Sequence, residues 1–139
     1  MSFDIQDDYL TSSELTWVRG GLSRDFPWFF CDHLNDKSGD KSILGNYYFN
    51  HTLIERGQVL SSEYIVVFQP LIERLNIRLD DIMRMKVNLY PRTQIKVHHR
   101  SHTDYQPESG YTALFYLNTN NGLTVVDGKK KIKSVENRM

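Results

Sequence analysis

The sequence predicts an α+β domain in which helices come first and antiparallel strands come after, closing into a two-sheet sandwich or a barrel. Three observations predict it. Apolar residues in the first half recur at helical spacing, from Asp80 onward the period changes to two, and Asn120-Asn121-Gly122 and Asp127-Gly128 are hairpin turn signals. A chain of 139 residues, 40% of them hydrophobic, is long enough for one core and too short for two comfortable ones. Residues 1–139 are therefore expected to form a single domain, with no repeat, linker or low-complexity tract.

Residues 11–22 place Leu15, Trp17, Val18 and Leu22 on a helical stripe. Thr11 or Ser12 serves as N-cap, Glu14 is positioned to complete a capping box, and Gly20-Gly21 ends the helix. Residues 26–31, an aromatic run behind Pro27, read as a buried strand, and residues 35–42, rich in Asp, Lys, Ser and Gly, as a loop. Strand character resumes over residues 46–51, and Gly57 punctuates the chain beyond them.

Ser61 or Ser62 can cap a second helix in which Tyr64, Ile65, Phe68, Leu71, Ile72 and Leu75 share a stripe. Pro70 interrupts it. Its ring removes a hydrogen bond and clashes one turn back, so the segment must kink or divide into two shorter helices. Strands are then expected at residues 85–90, 111–117, 123–126 and 132–135.

Seventeen basic and seventeen acidic side chains cancel, so no global field draws the protein to nucleic acid or to an anionic membrane. The run from Lys129 to Lys133 is the one basic cluster and reads as a solvated hairpin tip. A single cysteine, Cys31, excludes an intramolecular disulfide. The first residues lack the basic and apolar regions of a signal peptide, and no apolar stretch approaches spanning length, so a soluble cytoplasmic protein is expected.

His98, His99, His102 and Asp104 form the cluster of metal-ligand types in the sequence. The adjacent pair His98-His99 reads as solvated side chains of a polar loop. His102 and Asp104 differ by context, standing between a strand and an apolar run. Two residues apart on an extended segment, an imidazole nitrogen and a carboxylate oxygen point to the same side and can grip one iron(II) ion. A 2-His-1-carboxylate face needs a further histidine, and none follows His102 in the sequence.

Asn88-Leu89-Tyr90, His102-Thr103-Asp104, the run from Tyr111 to Gly122 and the run from Lys133 to Arg138 together resemble the non-haem iron(II) and 2-oxoglutarate-dependent oxygenases. The similarity is to the prolyl-hydroxylase-like group of bacteriophages and marine bacteria, and the region around Phe26-Pro27-Trp28 is similar to that group's N-terminal part. The resemblance implies a double-stranded β-helix, a jelly roll preceded by helices, with iron(II) and 2-oxoglutarate as cofactors. It implies that His102 and Asp104 are the first two iron ligands. Asn88 and Tyr90 fall where such enzymes place side chains that hydrogen-bond 2-oxoglutarate.

The family pattern continues with a distal histidine and an arginine or lysine that clamps the far carboxylate of the co-substrate. Neither position occurs here, so the expectation is a C-terminally truncated oxygenase domain that is inactive alone. It is also expected to hide its unpaired β-edges by homo-oligomerisation. Two other classes compete: a non-catalytic β-sandwich binding or phage-related structural module, and a nucleic-acid binder acting through Lys129 to Lys133. Balanced charge disfavours the latter.

Overall fold

Thr11 and Glu14 start the first helix as their spacing predicts. In the computed structural model, which describes residues 3–23, 25–32, 47–99, 102 and 110–139, the Thr11 N–H donates to Glu14 Oε2 at 2.7 Å. The Glu14 N–H returns to Thr11 Oγ1 at 3.3 Å, closing a capping box at the head of α1 (Ser12–Gly21). The loop expected at residues 35–42, together with Asn46, Thr103 and Asp104, lies outside the described residues.

The molecule is α+β, with short helices and small antiparallel sheets. It divides into two compact units, one made of Thr16–Arg100 and the other of Met1–Leu15 with Ser101–Met139. No described helix is long and apolar enough to cross a membrane.

The Thr16–Arg100 unit is built on β2 (Tyr48–Glu55). Strand β4 (Arg84–Leu89) lies antiparallel along one side of it. Strands β1 (Phe29–Cys31) and β3 (Gln58–Val59) take the other side, since β1 and β4 both pair at Phe49 and Asn50 and cannot share an edge there. A bulge between Thr52 and Ile54 shifts the β2–β4 register. It lets Leu53 and Ile54, neighbours in sequence, both be fully buried. Arg56 and Gly57, at φ 51° and 73°, make the tight turn from β2 to β3.

The second helical region divides as Pro70 requires. It comprises α2 (Ser62–Ile65), a 3-10 turn at Val66–Phe68, and α3 (Gln69–Leu75) with Pro70 in its first turn, where no N–H is missed. Ser61 stands at the N-cap position of α2, but its hydroxyl does not cap. It bonds instead to His51 Nε2 at 2.5 Å.

Phe26 centres the core of this unit, with ring centroids of Trp28 and His51 at 4.9 Å, Tyr64 at 5.4 Å and Phe68 at 6.3 Å. Val18 of α1 is fully buried, and Gly21 lets α1 approach the Val67 side chain, with which a Cβ at that position would collide. A short 3-10 turn, Leu79–Asp81, leads into β4.

In the other unit β5 (Leu123–Val126) and β6 (Lys130–Lys133) form a hairpin whose turn residues Asp127 and Gly128 have φ 52° and 66°. The second strand begins two residues earlier than its hydrophobic pattern suggests. Turn geometry fixes register, and Val126 pairs with Lys130.

The strand expected at residues 111–117 does not form among the described residues. Tyr116 alone makes a bridge, to Arg138, and Tyr111 is wholly exposed. β propensity needs a neighbour to pair with, and the turn expected to supply one is used otherwise. Asn120 Oδ1 accepts the Gly122 N–H at 2.7 Å and its Nδ2 reaches Ser134 Oγ at 3.0 Å, a local Asx turn rather than a link between two paired strands.

The N-terminal segment closes this unit. Gln6 and Met139 exchange both backbone hydrogen bonds, and the Tyr9 N–H donates to Asn137 O. The Asn137 amide accepts from Leu10 N–H and donates to Leu10 O, both at 2.8 Å.

Candidate functional site

Pairing in the sheet sets two faces with different chemistry. His51, Leu53 and Val87 point into the buried side under the helices. The opposite face carries Tyr48 and Asn50 from β2, Asn88 from β4 with Tyr90 just beyond it, and Cys31 from β1. Asn50 lies directly across from Asn88, and Cys31 across from Tyr48. These residues are half-buried, apart from Tyr90, which is 50% exposed.

A polar and aromatic constellation results. The Tyr48 and Tyr90 rings stack at 5.5 Å with an interplanar angle of 16°. Asn50 Nδ2 donates to Cys31 Sγ at 3.0 Å and lies 3.3 Å from the Tyr48 hydroxyl. His99 approaches Tyr90 at 5.9 Å between ring centroids. Asn88 Oδ1 is buried and has no hydrogen-bond partner among the described residues. Such a group costs on the order of 1–3 kcal/mol relative to a satisfied one.

The two residues expected at the co-substrate are thus on one face, within the Thr16–Arg100 unit. The two expected at the metal are not described together. His102 is exposed and belongs to the other unit, and Asp104 lies outside the described residues. Among the described residues no group of three or more His, Cys, Asp or Glu side chains assembles. His98 is exposed, as its reading as a solvated side chain implies.

Sequence reasoning missed Tyr48, Asn50 and Cys31 as companions of Asn88 and Tyr90. The alternation of residues 46–51 already put Tyr48 and Asn50 on one face, but nothing local said which strand would lie beside them. It also passed over His51, whose Nδ1 is buried among the rings of Phe26, Phe29 and Tyr64 with no hydrogen-bond partner among the described residues. No protein-family model, curated protein or solved structure matches the chain.

Proposed function

We propose that the chain carries the cofactor-binding part of an iron(II)/2-oxoglutarate-dependent dioxygenase built on a jelly roll, with His102 and Asp104 as iron ligands and Asn88 and Tyr90 at the 2-oxoglutarate. The observation that carries this reading is Asn88 itself. The residue that the resemblance assigns to the co-substrate stands on the half-buried polar face, near Tyr90, with its amide oxygen buried and unbonded among the described residues. 2-Oxoglutarate offers only acceptor oxygens, so Asn88 would meet it through Nδ2, with the side-chain amide rotated to bring that nitrogen to the ligand.

The donor set fits the metal in kind. One imidazole and one carboxylate, two positions apart on the chain, are the ligand types that hold iron(II) in facial oxygenase sites and leave positions open. Iron(II) held by His102 and Asp104 would supply the oxidising chemistry of a hydroxylation coupled to decarboxylation of 2-oxoglutarate. The chain's own residues bind and orient. The His102 imidazole would lend a nitrogen, the Asp104 carboxylate would offset part of the metal charge, and the stacked rings of Tyr48 and Tyr90 would give the co-substrate a flat apolar neighbour.

Calorimetric titration of 2-oxoglutarate in the presence of manganese(II), a redox-silent stand-in for iron, tests the reading. Saturable binding is expected, weakened by about 10- to 100-fold in Asn88→Ala, the loss of a hydrogen bond to a charged group. Absence of 2-oxoglutarate binding, or indifference to Asn88→Ala in a folded variant, contradicts it.

A further inference from the structure

Strands β5 and β6 carry a surface that the oxygenase reading does not use. In their register Leu123 opposes Lys133 and Val125 opposes Lys131, so these four side chains share one face of the hairpin. The other face is engaged within its unit. Lys130 Nζ sits 3.5 Å from the centroid of the Phe3 ring, and the Tyr116 hydroxyl donates to Thr124 Oγ1 at 2.7 Å. On the first face Leu123 and Val125 remain 45% and 48% exposed. Among the described residues no carboxylate pairs with Lys129, Lys131 or Lys133.

Among the described residues the outer edge of β5 is open as well, because the sheet has two strands and ends there. Ser134 donates its N–H to Gly122 O, which marks those residues as a hydrogen-bonded pair. Alternation then turns the backbone N–H and C=O of Leu123 and Val125 away from β6. The corresponding edge of β6 is occupied, since Arg138 Nη1 donates to Lys133 O. Strand β5, Leu-Thr-Val-Val, has no charge of its own to block an added strand.

We propose that the outer edge of β5 takes an extended acidic peptide segment as a third strand, its apolar side chains packing on Leu123 and Val125 and its carboxylates reaching Lys131 and Lys133. An added strand lies about 4.8 Å from β5 and about 9.6 Å from β6. A glutamate and a lysine, extended toward each other, span that gap over the aliphatic pair. Charge complementarity selects the acidic partner, and the unpaired backbone edge selects a polypeptide. A nucleic acid would want stacking rings or base-reading amides, which this face lacks, and a lipid surface would leave the edge groups without partners. The proposal stands apart from the oxygenase reading.

The test is fluorescence anisotropy of a labelled alternating glutamate–valine peptide with the full chain, against a lysine–valine peptide of equal length. Saturable binding of the acidic peptide alone is expected. Added salt should weaken it, and Val125→Asp, or Lys131→Glu combined with Lys133→Glu, should weaken it by about tenfold or more. Circular dichroism establishes that each variant folds. Equal binding of the two peptides, or insensitivity to the paired lysine changes, overturns the proposal. So does capture of phosphatidylserine vesicles in place of the peptide, or a dimer by light scattering that Val125→Asp dissociates.

Discussion

Asn137 adopts φ 63° and is almost fully buried, and its side chain stands in for a strand partner. Its amide satisfies both backbone groups of Leu10, 127 positions away in sequence. Asparagine tolerates the left-handed region better than most residues, so backbone and side-chain requirements meet in one residue type. Asn137→Ala is expected to cost about 1–3 kcal/mol, read from the urea midpoint, because it strands two buried backbone groups and keeps the strained φ.

Next to it, Arg138 binds Asp7 through two nitrogens, at 2.7 and 2.9 Å. The hydrogen bond from Arg138 holds the Asp7 carboxyl below its ordinary value of 3.8, and the same contact raises the guanidinium. A depressed folded-state value stabilises above the unfolded one and is lost as pH falls through the folded value. Asp7→Asn should therefore lower stability at neutral pH, with the gap to the native chain closing in acid below pH 3.8. A gap that persists unchanged in acid means that the pair acts by packing and not by charge.

Elements with a local cause are legible in the sequence. The capping box at Thr11 and Glu14, the division of the helix at Pro70, and the turns at Gly57 and Asp127-Gly128 each arise from a residue and its immediate neighbours. Features that depend on a distant partner are not. Residues 111–117 have strand composition, yet the backbone of Tyr116 bonds to Asn137 and Arg138 and no described ladder reaches further. Ser61 has the composition of a cap, yet a histidine ten residues earlier takes its hydroxyl. Gly57 shows how local and distant causes combine. It has φ 73°, and a Cβ there would lie 2.6 Å from the Asp80 carbonyl oxygen. Gly57→Ala is expected to lower stability by about 1–3 kcal/mol, with thermal unfolding as the readout and a neutral result counting against this close approach.

At the scale of the whole molecule, the candidate site gathers residues that no single stretch of sequence displays together. Asn88 and Tyr90 stand out through their resemblance to an oxygenase pattern. Tyr48, Asn50 and Cys31 join them only because β2 pairs with β1 on one side and β4 on the other. The α+β class is legible from the shift of period. The division into two compact units is not, since both the first fifteen residues and the last thirty-nine belong to the same one.

Central to the proposed function is a metal ion held jointly by His102 and Asp104. Titration with manganese(II), followed by the relaxation of water protons, tests it most directly. Saturable binding of one equivalent is predicted, weakened by about tenfold or more in both His102→Ala and Asp104→Ala. Binding that leaves both substitutions unnoticed, or no saturable binding by the native chain, contradicts it.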